Sequence, residues 1–267
     1  MLEDYLNKII HGNCLEVMKN FGDHTIDLVI TSPPYDNLRS YKGFTFPFKE
    51  IAQELHRIVK KGGVVVWIVG DATIKGTETG TSFTQALYFK EIGFNLHDTM
   101  IFRKKNPIPQ IYRKRYNNEF EYMFVFSKGT VKTHHPLMID CLHAGLELKG
   151  TTYKNYSKGT QKRVKKANPV KKQKIKGNIW EYVVGKNAED QEAKGHPAPF
   201  PCALARDHIL SWSNEGDIVL DPMCGSGTTC KEALLANRHF IGIDMSDQYC
   251  ELAKERIKIV QERHSER

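Results

Sequence analysis

Short apolar runs alternate with amphipathic stretches in both halves of this chain, and this alternation constrains the fold more than any other feature. Runs such as IDLVIT (26–31) and VVVWIVG (64–70) are typical of buried strands, whereas 247–264 has apolar residues at helical spacing. Parallel strands joined by helices form a sheet that is covered on both faces. We therefore predict an α/β fold with a mostly parallel sheet. The predicted strands are 26–31, 64–70, 95–104, 120–129, 217–222 and 239–246, and the predicted helices are 47–63, 82–93, 201–213, 228–238 and 247–264.

A basic region interrupts this alternation from about residue 130 to 194. Residues 151–176 contain ten Lys or Arg and neither Asp nor Glu, while the net charge of the whole chain is +8, so the positive charge is concentrated here. Such a run is either solvated surface or a contact for a polyanion, and nucleic acid is the usual polyanion. We therefore divide the chain into 1–129, an inserted segment 130–194, and 195–267.

Several classes of protein are excluded by composition and pattern. The six cysteines are scattered without a CxxC pair, which favours a reducing cytoplasm over a disulfide framework or a zinc site. No histidine has partners at metal-ligand spacing, so we expect no metal. The longest apolar run is too short to span a bilayer, and the N-terminus lacks a signal-peptide pattern. We expect a cytoplasmic protein that does not contact membranes.

The predicted strand 26–31 is followed directly by Ser32-Pro33-Pro34-Tyr35. Two consecutive prolines neither continue a central strand nor start a helix smoothly, and they hold the backbone stiff and extended. The Ser32 hydroxyl therefore precedes the rigid Pro33-Pro34 pair, and the aromatic ring of Tyr35 follows it. The alternative is a tight turn without a function.

A second motif, DPMCGSGTT, follows the strand 217–222. The strand ends in Asp221, and the turn Cys224-Gly225-Ser226-Gly227 leads into a helix, so that the backbone can approach a ligand closely. Asp244 ends the next strand, where a carboxylate can hold the hydroxyl pair of a ribose. The turn lacks the spacing of dinucleotide-binding and phosphate-binding loops, so a nucleoside with a cationic end fits it better. A plain strand–helix turn is the alternative.

TSPPY together with DPMCGSGTT resembles the amino-methyltransferases of DNA, which use S-adenosylmethionine. The order of the motifs, with the catalytic motif first, is similar to the beta, or circularly permuted, group of that family. The stretches HGNCLEVM, KNPIP, FEYMFVFSKG and HPAPFP also match, so that the resemblance covers nearly the whole chain except the basic region. One departure is Asn13, where many relatives have Asp.

The resemblance implies a Rossmann-like fold, S-adenosyl-L-methionine as cofactor, and double-stranded DNA as substrate. It assigns catalysis to Ser32, Pro33, Pro34 and Tyr35, with the Ser32 hydroxyl and the Pro33 carbonyl bound to the amine of a flipped base. Tyr35 would stack on that base. The residues it assigns to the cofactor are Thr31, Phe200, Asp221, Cys224, Gly225, Ser226, Gly227, Thr228, Thr229 and Asp244. The inserted segment 130–194 would recognise the target sequence, with DNA contacts from Lys162, Arg163, Lys165, Lys166, Lys171 and Lys172.

Within the family, Ser-Pro-Pro-Tyr is most often associated with cytosine N4, so we prefer that base to adenine N6. Two other classes are weighed against this one, a methyltransferase that acts on RNA or protein and an inactive DNA-binding module. The basic segment disfavours the former, and the intact catalytic and cofactor motifs disfavour the latter. We expect a restriction-modification type of enzyme, either a monomer or a homodimer, with a cognate restriction endonuclease as a candidate partner.

Overall fold

The computed structural model describes most of the chain, and the following account is confined to that part. The described residues are 2–34, 46–107, 109, 114–147, 151–155, 161–165, 169–185 and 201–265, with the backbone alone at 151–155, 161–165 and 263–265. They divide into two compact units, one formed by Met1–His135 with Asn178–Arg267 and the other by Pro136–Gly177.

An eight-stranded sheet forms the centre of the first unit, in the order β1-β14-β13-β2-β3-β7-β6-β12. Its strands are β1 (Lys8–His11), β2 (Ile26–Thr31), β3 (Val59–Val69), β6 (Asn95–Lys104), β7 (Phe120–Ser127), β12 (Ile179–Tyr182), β13 (Ile218–Asp221) and β14 (His239–Asp244). Every pairing is parallel except the two made by β7. The prediction of a mostly parallel α/β sheet is confirmed.

Helices cover this sheet because its central strands are apolar on both faces. In β2 and β3, the runs Leu28–Ile30 and Val64–Val69 are almost fully buried, as expected for strands of a parallel sheet. The helices are α1 (Cys14–Met18), α2 (Phe48–Ile58), α3 (Thr81–Glu91), α4 (Cys202–Trp212), α5 (Thr228–Leu235) and α6 (Asp247–Ser265), and a short 3₁₀ helix spans Leu2–Tyr5. Among the described residues, no helix has the length and apolarity that crossing a membrane requires.

The predicted helix 47–63 was wrong at its C-terminal end. Helix α2 ends at Ile58, and Val59 already has the extended backbone of β3. The pair Gly62-Gly63 does not stop the helix but forms an irregularity in the strand, where the pairing of β3 with β2 shifts register. Gly62 has a φ of 84°, and a side chain on Gly63 would lie 2.9 Å from the Asp27 carbonyl oxygen, so both positions require glycine.

Two strands of the sheet were missed in the sequence. The strand β1 pairs with β14, and β12 pairs with β6 at the opposite edge. Each has only four residues, which is too few for a period to be recognised. In addition, β12 follows the basic run directly, where no regular structure was predicted.

The second unit contains two antiparallel ribbons. One pairs β8 (Met138–Asp140) with β11 (Gln173–Ile175), and the other pairs β9 (Thr151–Asn155) with β10 (Gln161–Lys165). A third small hairpin, β4 (Thr73–Ile74) with β5 (Thr77–Glu78), belongs to the first unit. The second unit falls inside the predicted insertion 130–194, whereas 130–135 and 178–185 are part of the first unit.

Candidate active site

The site predicted from sequence lies at the edge of the sheet where β2, β13 and β14 end. Strand β13 lies between the other two and runs parallel to both, so that their carboxyl ends meet at one edge. From β2 the chain continues to β3 on one side, and from β13 it continues to β14 on the other. Ligands of open α/β sheets bind where the connections diverge in this way. Thr31, Asp221 and Asp244 are the last residues of the three strands.

The Asp221 side chain is buried at the end of β13. Its Oδ1 atom accepts a hydrogen bond from the Thr31 hydroxyl at 2.8 Å and another from the Met223 amide at 3.2 Å. Burial is the main reason that the pKa of the Asp221 carboxyl is raised to about 6, although hydrogen bonds from Thr229, Thr31 and Met223 oppose that shift. Because this pKa is below 7, the carboxyl is mainly ionised at neutral pH and can face a cationic ligand group.

Asp244, at the end of β14, is fixed by two backbone amides. Its Oδ2 atom accepts from the Gly225 amide at 2.9 Å, and its Oδ1 atom accepts from the Ser246 amide at 2.8 Å. A carboxylate oxygen can accept more than one hydrogen bond. The side chain is therefore held in one orientation and retains the capacity to accept from a pair of ligand hydroxyls.

The loop from Cys224 to Gly227 lies between β13 and α5, and at two of its positions the backbone has a conformation that favours glycine. Gly225 and Gly227 have positive φ values of 50° and 75°. A side chain on Gly227 would place its Cβ 2.7 Å from the Cβ of Ala253 on α6, so the helix packs directly on the loop. The predicted residues Ser226, Thr228 and Thr229 are buried around it.

Cys224 lies in the same loop and has the properties of a packing residue. Its thiol is buried, and a hydrogen bond with the Cys230 thiol, together with burial, raises the pKa of Cys224 well above the usual range. The nucleophilic form of cysteine is the thiolate. Cys224 therefore remains a neutral thiol, and the geometry gives no support for covalent catalysis there.

Arg256 on α6 supports the loop and was missed by sequence reasoning. Its side chain is only 1% exposed. The guanidinium donates to the Ser226 carbonyl and, at 3.3 Å, to the Thr228 hydroxyl, so a fully charged group is buried against the loop backbone. The one available signal was its position in the apolar stripe of α6, next to Ile257 and three residues after Ala253.

The motif that is predicted to be catalytic begins where the strand β2 ends. Ser32 and Pro34 are partly buried and Pro33 is buried, and the three residues continue the chain from Thr31 outside any regular element. Ser32 therefore directly follows Thr31, whose hydroxyl is hydrogen-bonded to Asp221. Tyr35 and Phe200, which the resemblance assigns to the base and the cofactor, lie outside the described residues.

The Asn13 side chain has a structural role at the start of α1. Asn13 is the N-cap of α1, and its Oδ1 atom accepts from the Leu15 amide at 2.9 Å. Asp and Asn are similarly good N-caps. Replacement of the carboxylate of relatives by an amide therefore preserves the start of this helix.

The predicted DNA contacts belong to the second unit. Lys171 and Lys172 are exposed just before β11, and Lys162, Arg163 and Lys165 lie on β10, whose backbone alone is described. Lys166 lies outside the described residues. Within the described ranges, no group of three or more His, Cys, Asp or Glu is placed to hold an ion, and the absence of a metal stays a prediction.

Comparison with known proteins identifies the class of protein to which this geometry belongs. Residues 26–255 match the N6/N4 methyltransferase family, described as DNA methylase. The orphan methyltransferase M.BamHII of Bacillus amyloliquefaciens is 54% identical over 244 residues, which cover 90% of this chain and 91% of that protein.

Solved structures of methyltransferases share the fold. The cytosine-N4-specific PvuII DNA methyltransferase has a TM-score of 0.71 at 20% identity, with 95% of this chain and 89% of that chain covered. The complex of M1.HpyAVI with S-adenosylmethionine has a TM-score of 0.61 at 23% identity and covers 94% and 98%. The family match and the close relative together show that this chain belongs to the N4/N6 family of DNA amino-methyltransferases.

Proposed function

We propose that this DNA methyltransferase transfers the methyl group to the N4 amine of cytosine in duplex DNA, with the N6 amine of adenine as the alternative. The observation that carries the proposal is the position of Ser32, which follows β2 directly and adjoins the Thr31–Asp221 hydrogen bond. Ser32-Pro33-Pro34-Tyr35 is the form of the motif associated with cytosine, and the PvuII methyltransferase, which shares the fold, is specific for cytosine N4.

The two acids of the site suit the two ends of the cofactor. Asp221 would face the ammonium group of the methionine end, since a buried ionised carboxylate prefers a cationic partner. Asp244 would accept from the ribose hydroxyls, since Gly225 and Ser246 already fix its orientation. The loop Cys224–Gly227 and the side chains of Thr228 and Thr229 would line the methionine end, and Phe200 would pack against the cofactor.

Ser32 and Pro33 would activate the amine by hydrogen bonding. An exocyclic amine is a weak nucleophile because its lone pair is delocalised into the ring of the base. The Ser32 hydroxyl oxygen and the Pro33 carbonyl oxygen can each accept one hydrogen of the amine, which draws the nitrogen toward tetrahedral geometry and frees the lone pair. When bound, the cofactor would supply the methyl group from a positively charged sulfur, which would leave as a neutral thioether as the new N–C bond forms, and the methylated amine would lose one proton to water. Catalysis by this chain is then positioning and electrostatics without a covalent intermediate on the protein.

Access to the amine requires that the base leave the duplex, since a paired and stacked base does not present its amine to Ser32. Enzymes that modify bases rotate the target nucleotide into a pocket and stack it on aromatic side chains. Tyr35 follows Pro34 in the chain and would provide this ring.

The inserted segment 130–194 would recognise the target sequence. The second unit of the structure, Pro136–Gly177, lies inside this segment, and in it the ribbon of β9 and β10 pairs Lys154 with Lys162. Both strands of this ribbon therefore carry basic residues, which is typical of a contact for a polyanion such as DNA. A cognate endonuclease remains a candidate partner only, and the description of M.BamHII as an orphan methyltransferase gives it no support.

The identity of the methylated base is tested directly. The protein is incubated with duplex DNA of mixed sequence and S-adenosylmethionine labelled in the methyl group, the DNA is digested, and the labelled nucleoside is identified by mass spectrometry. We expect N4-methylcytosine. Labelled N6-methyladenine would establish the alternative, and label in RNA or protein but not in DNA would contradict the proposal.

Removal of positive charge from the basic segment is expected to weaken DNA binding without changing the methylated base. In the variant with Gln at Lys165, Lys166, Lys171 and Lys172, affinity should fall for every duplex, because phosphate contacts carry no sequence information. The slope of binding against salt should flatten by about one unit per lost contact. Binding is measured by fluorescence anisotropy over a series of salt concentrations.

The matched control replaces four exposed lysines of the first unit, Lys75, Lys90, Lys254 and Lys258. This control changes the net charge by the same amount. A difference in DNA binding between the two variants therefore depends on where the lysines lie and not on how much charge is removed. An unchanged salt slope in the first variant, or an equal loss in both, would mean that the basic segment is only solvated surface.

A further inference from the structure

Thr31 is a buried polar residue at the end of a strand whose preceding three positions, 28–30, are aliphatic. The strand β2 reads Ile26-Asp27-Leu28-Val29-Ile30-Thr31, and the Thr31 side chain is only 1% exposed. Valine has almost the same shape as threonine and would fill this position without a polar atom. The Thr31 hydroxyl donates a hydrogen bond to the Oδ1 atom of Asp221 at 2.8 Å, 190 positions away in the chain.

We infer that Thr31 is a positioning residue that acts through Asp221 and keeps this carboxylate ionised and correctly oriented to receive the ammonium group of the cofactor. The inference rests on the role proposed above for Asp221. Thr31 would affect the cofactor only indirectly, because its buried hydroxyl donates a hydrogen bond to the Asp221 carboxylate. It also connects the two halves of the site, because the residue after Thr31 is the catalytic Ser32.

The groups that face Asp221 show why a donor is needed there. Burial raises the pKa of the Asp221 carboxyl, and the Asp244 carboxylate on the neighbouring strand raises it further. The neutral Cys224 thiol, which also lies near, does not compensate this charge. Hydrogen bonds favour the ionised carboxyl, and they come from the Thr229 hydroxyl on α5, the Thr31 hydroxyl on β2 and the Met223 amide in the loop.

Loss of the Thr31 hydroxyl should therefore make Asp221 harder to ionise. The pKa of this carboxyl is about 6 in the intact protein, so cofactor binding should weaken as the pH falls through about 6, where the carboxyl becomes protonated. Without the hydroxyl, protonation occurs at a higher pH, and the same weakening begins nearer to neutrality. The orientation of Oδ1 also becomes less restricted, because one of its donors is gone.

The test is the pH profile of cofactor binding in Thr31→Val and Thr31→Ser. S-adenosylhomocysteine serves as the ligand, because it has the same ammonium group but no charged sulfur, and its affinity is measured by calorimetry from pH 5.5 to 8. In Thr31→Val, we expect the midpoint of the pH dependence to rise by about one unit, so that affinity near pH 6.5 falls several-fold and recovers at pH 8. Thr31→Ser retains a hydroxyl and should keep the midpoint of the natural protein.

A purely structural role would give a different result. In that case Thr31→Val would weaken binding equally at every pH, or leave it unchanged, and either result overturns the inference. Melting temperatures are recorded for both variants. Should Thr31→Val fail to fold, Thr31→Ala compared with Thr31→Ser makes the same measurement.

A double-mutant cycle separates this inference from the proposed role of Asp221. Asp221→Asn should weaken binding of the ligand, and adding Thr31→Val to it should cause no further loss, since the hydroxyl acts only through the carboxylate. If Asp221→Asn binds normally, the role proposed for Asp221 is wrong. If Asp221→Asn binds weakly but Thr31→Val leaves the midpoint unchanged, only the inference about Thr31 fails.

Discussion

Replacement of Ser32 by alanine is expected to lower the turnover of DNA methylation by about two to three orders of magnitude, by analogy with the loss of one fixed hydrogen-bonding group in other active sites. The hydroxyl would act on the amine of the base, whereas Asp221, which is positioned by Thr31, and Asp244 would act on the cofactor. Cofactor affinity should therefore stay within about twofold of the natural protein. Single-turnover kinetics with saturating cofactor measures the loss, and calorimetry with S-adenosylhomocysteine measures the affinity.

Ser32→Asp is the matched variant for this experiment. A carboxylate at this position can also accept a hydrogen of the amine. We expect Ser32→Asp to retain more turnover than Ser32→Ala. Normal turnover in Ser32→Ala would refute the role proposed for the hydroxyl. A loss of cofactor affinity equal to the loss of turnover would place Ser32 at the cofactor instead.

The strands that hold the site could be predicted because each is an apolar run that ends abruptly in a polar residue. Ile26–Thr31, Ile218–Asp221 and His239–Asp244 were all expected within two residues of their observed ends. The observed order of the sheet then places those ends side by side. The resemblance to the family predicts that these three strand ends lie next to one another, whereas no local pattern in the sequence predicts the order of the strands.

Contacts between distant parts of the chain were beyond sequence reasoning. The start of β3 was mistaken for helix because Lys60 and Lys61 continue the amphipathic pattern of α2, while the actual end of the helix is set by the fold around it. The Lys128 ammonium, from the end of β7, donates to the carbonyls of His56 and Arg57 in the last turn of α2. Such a partner, some 70 positions away, satisfies carbonyls that the helix itself leaves unpaired.

Arg256 illustrates the same limit within the site. In the sequence it is one of several charged residues on a long amphipathic helix, and such residues are usually solvated. In the structure its guanidinium is buried against the Ser226 carbonyl and the Thr228 hydroxyl. The geometry of the loop Cys224–Gly227 therefore depends on a side chain from α6, about thirty residues further along the chain.

Asp244 is expected to be the side chain on which cofactor affinity depends most. Asp244→Ala removes the acceptors proposed for two ribose hydroxyls, and each hydrogen bond to a charged group contributes about 1.5–3 kcal/mol. The same change leaves the Gly225 and Ser246 amides without their acceptor, so the loop is also released. We expect affinity for S-adenosylhomocysteine to fall by about a hundredfold or more, since each 1.4 kcal/mol is a factor of ten. Calorimetry at pH 7.5 measures the change.

Asp247→Asn is the matched control, because it removes a carboxylate three positions later, at the start of α6, where the side chain is 74% exposed. The affinity of the Asp247→Asn variant for S-adenosylhomocysteine should be close to that of the natural protein. Comparison of the two variants then shows that the loss in Asp244→Ala is not a general effect of removing a negative charge. Asp244→Asn should fall between the two, because its amide keeps one acceptor oxygen for either Gly225 or Ser246 but presents a donor to the other. Full affinity in Asp244→Ala would show that the ribose is held elsewhere, and the carboxylate would then be explained by its bonds to the loop alone.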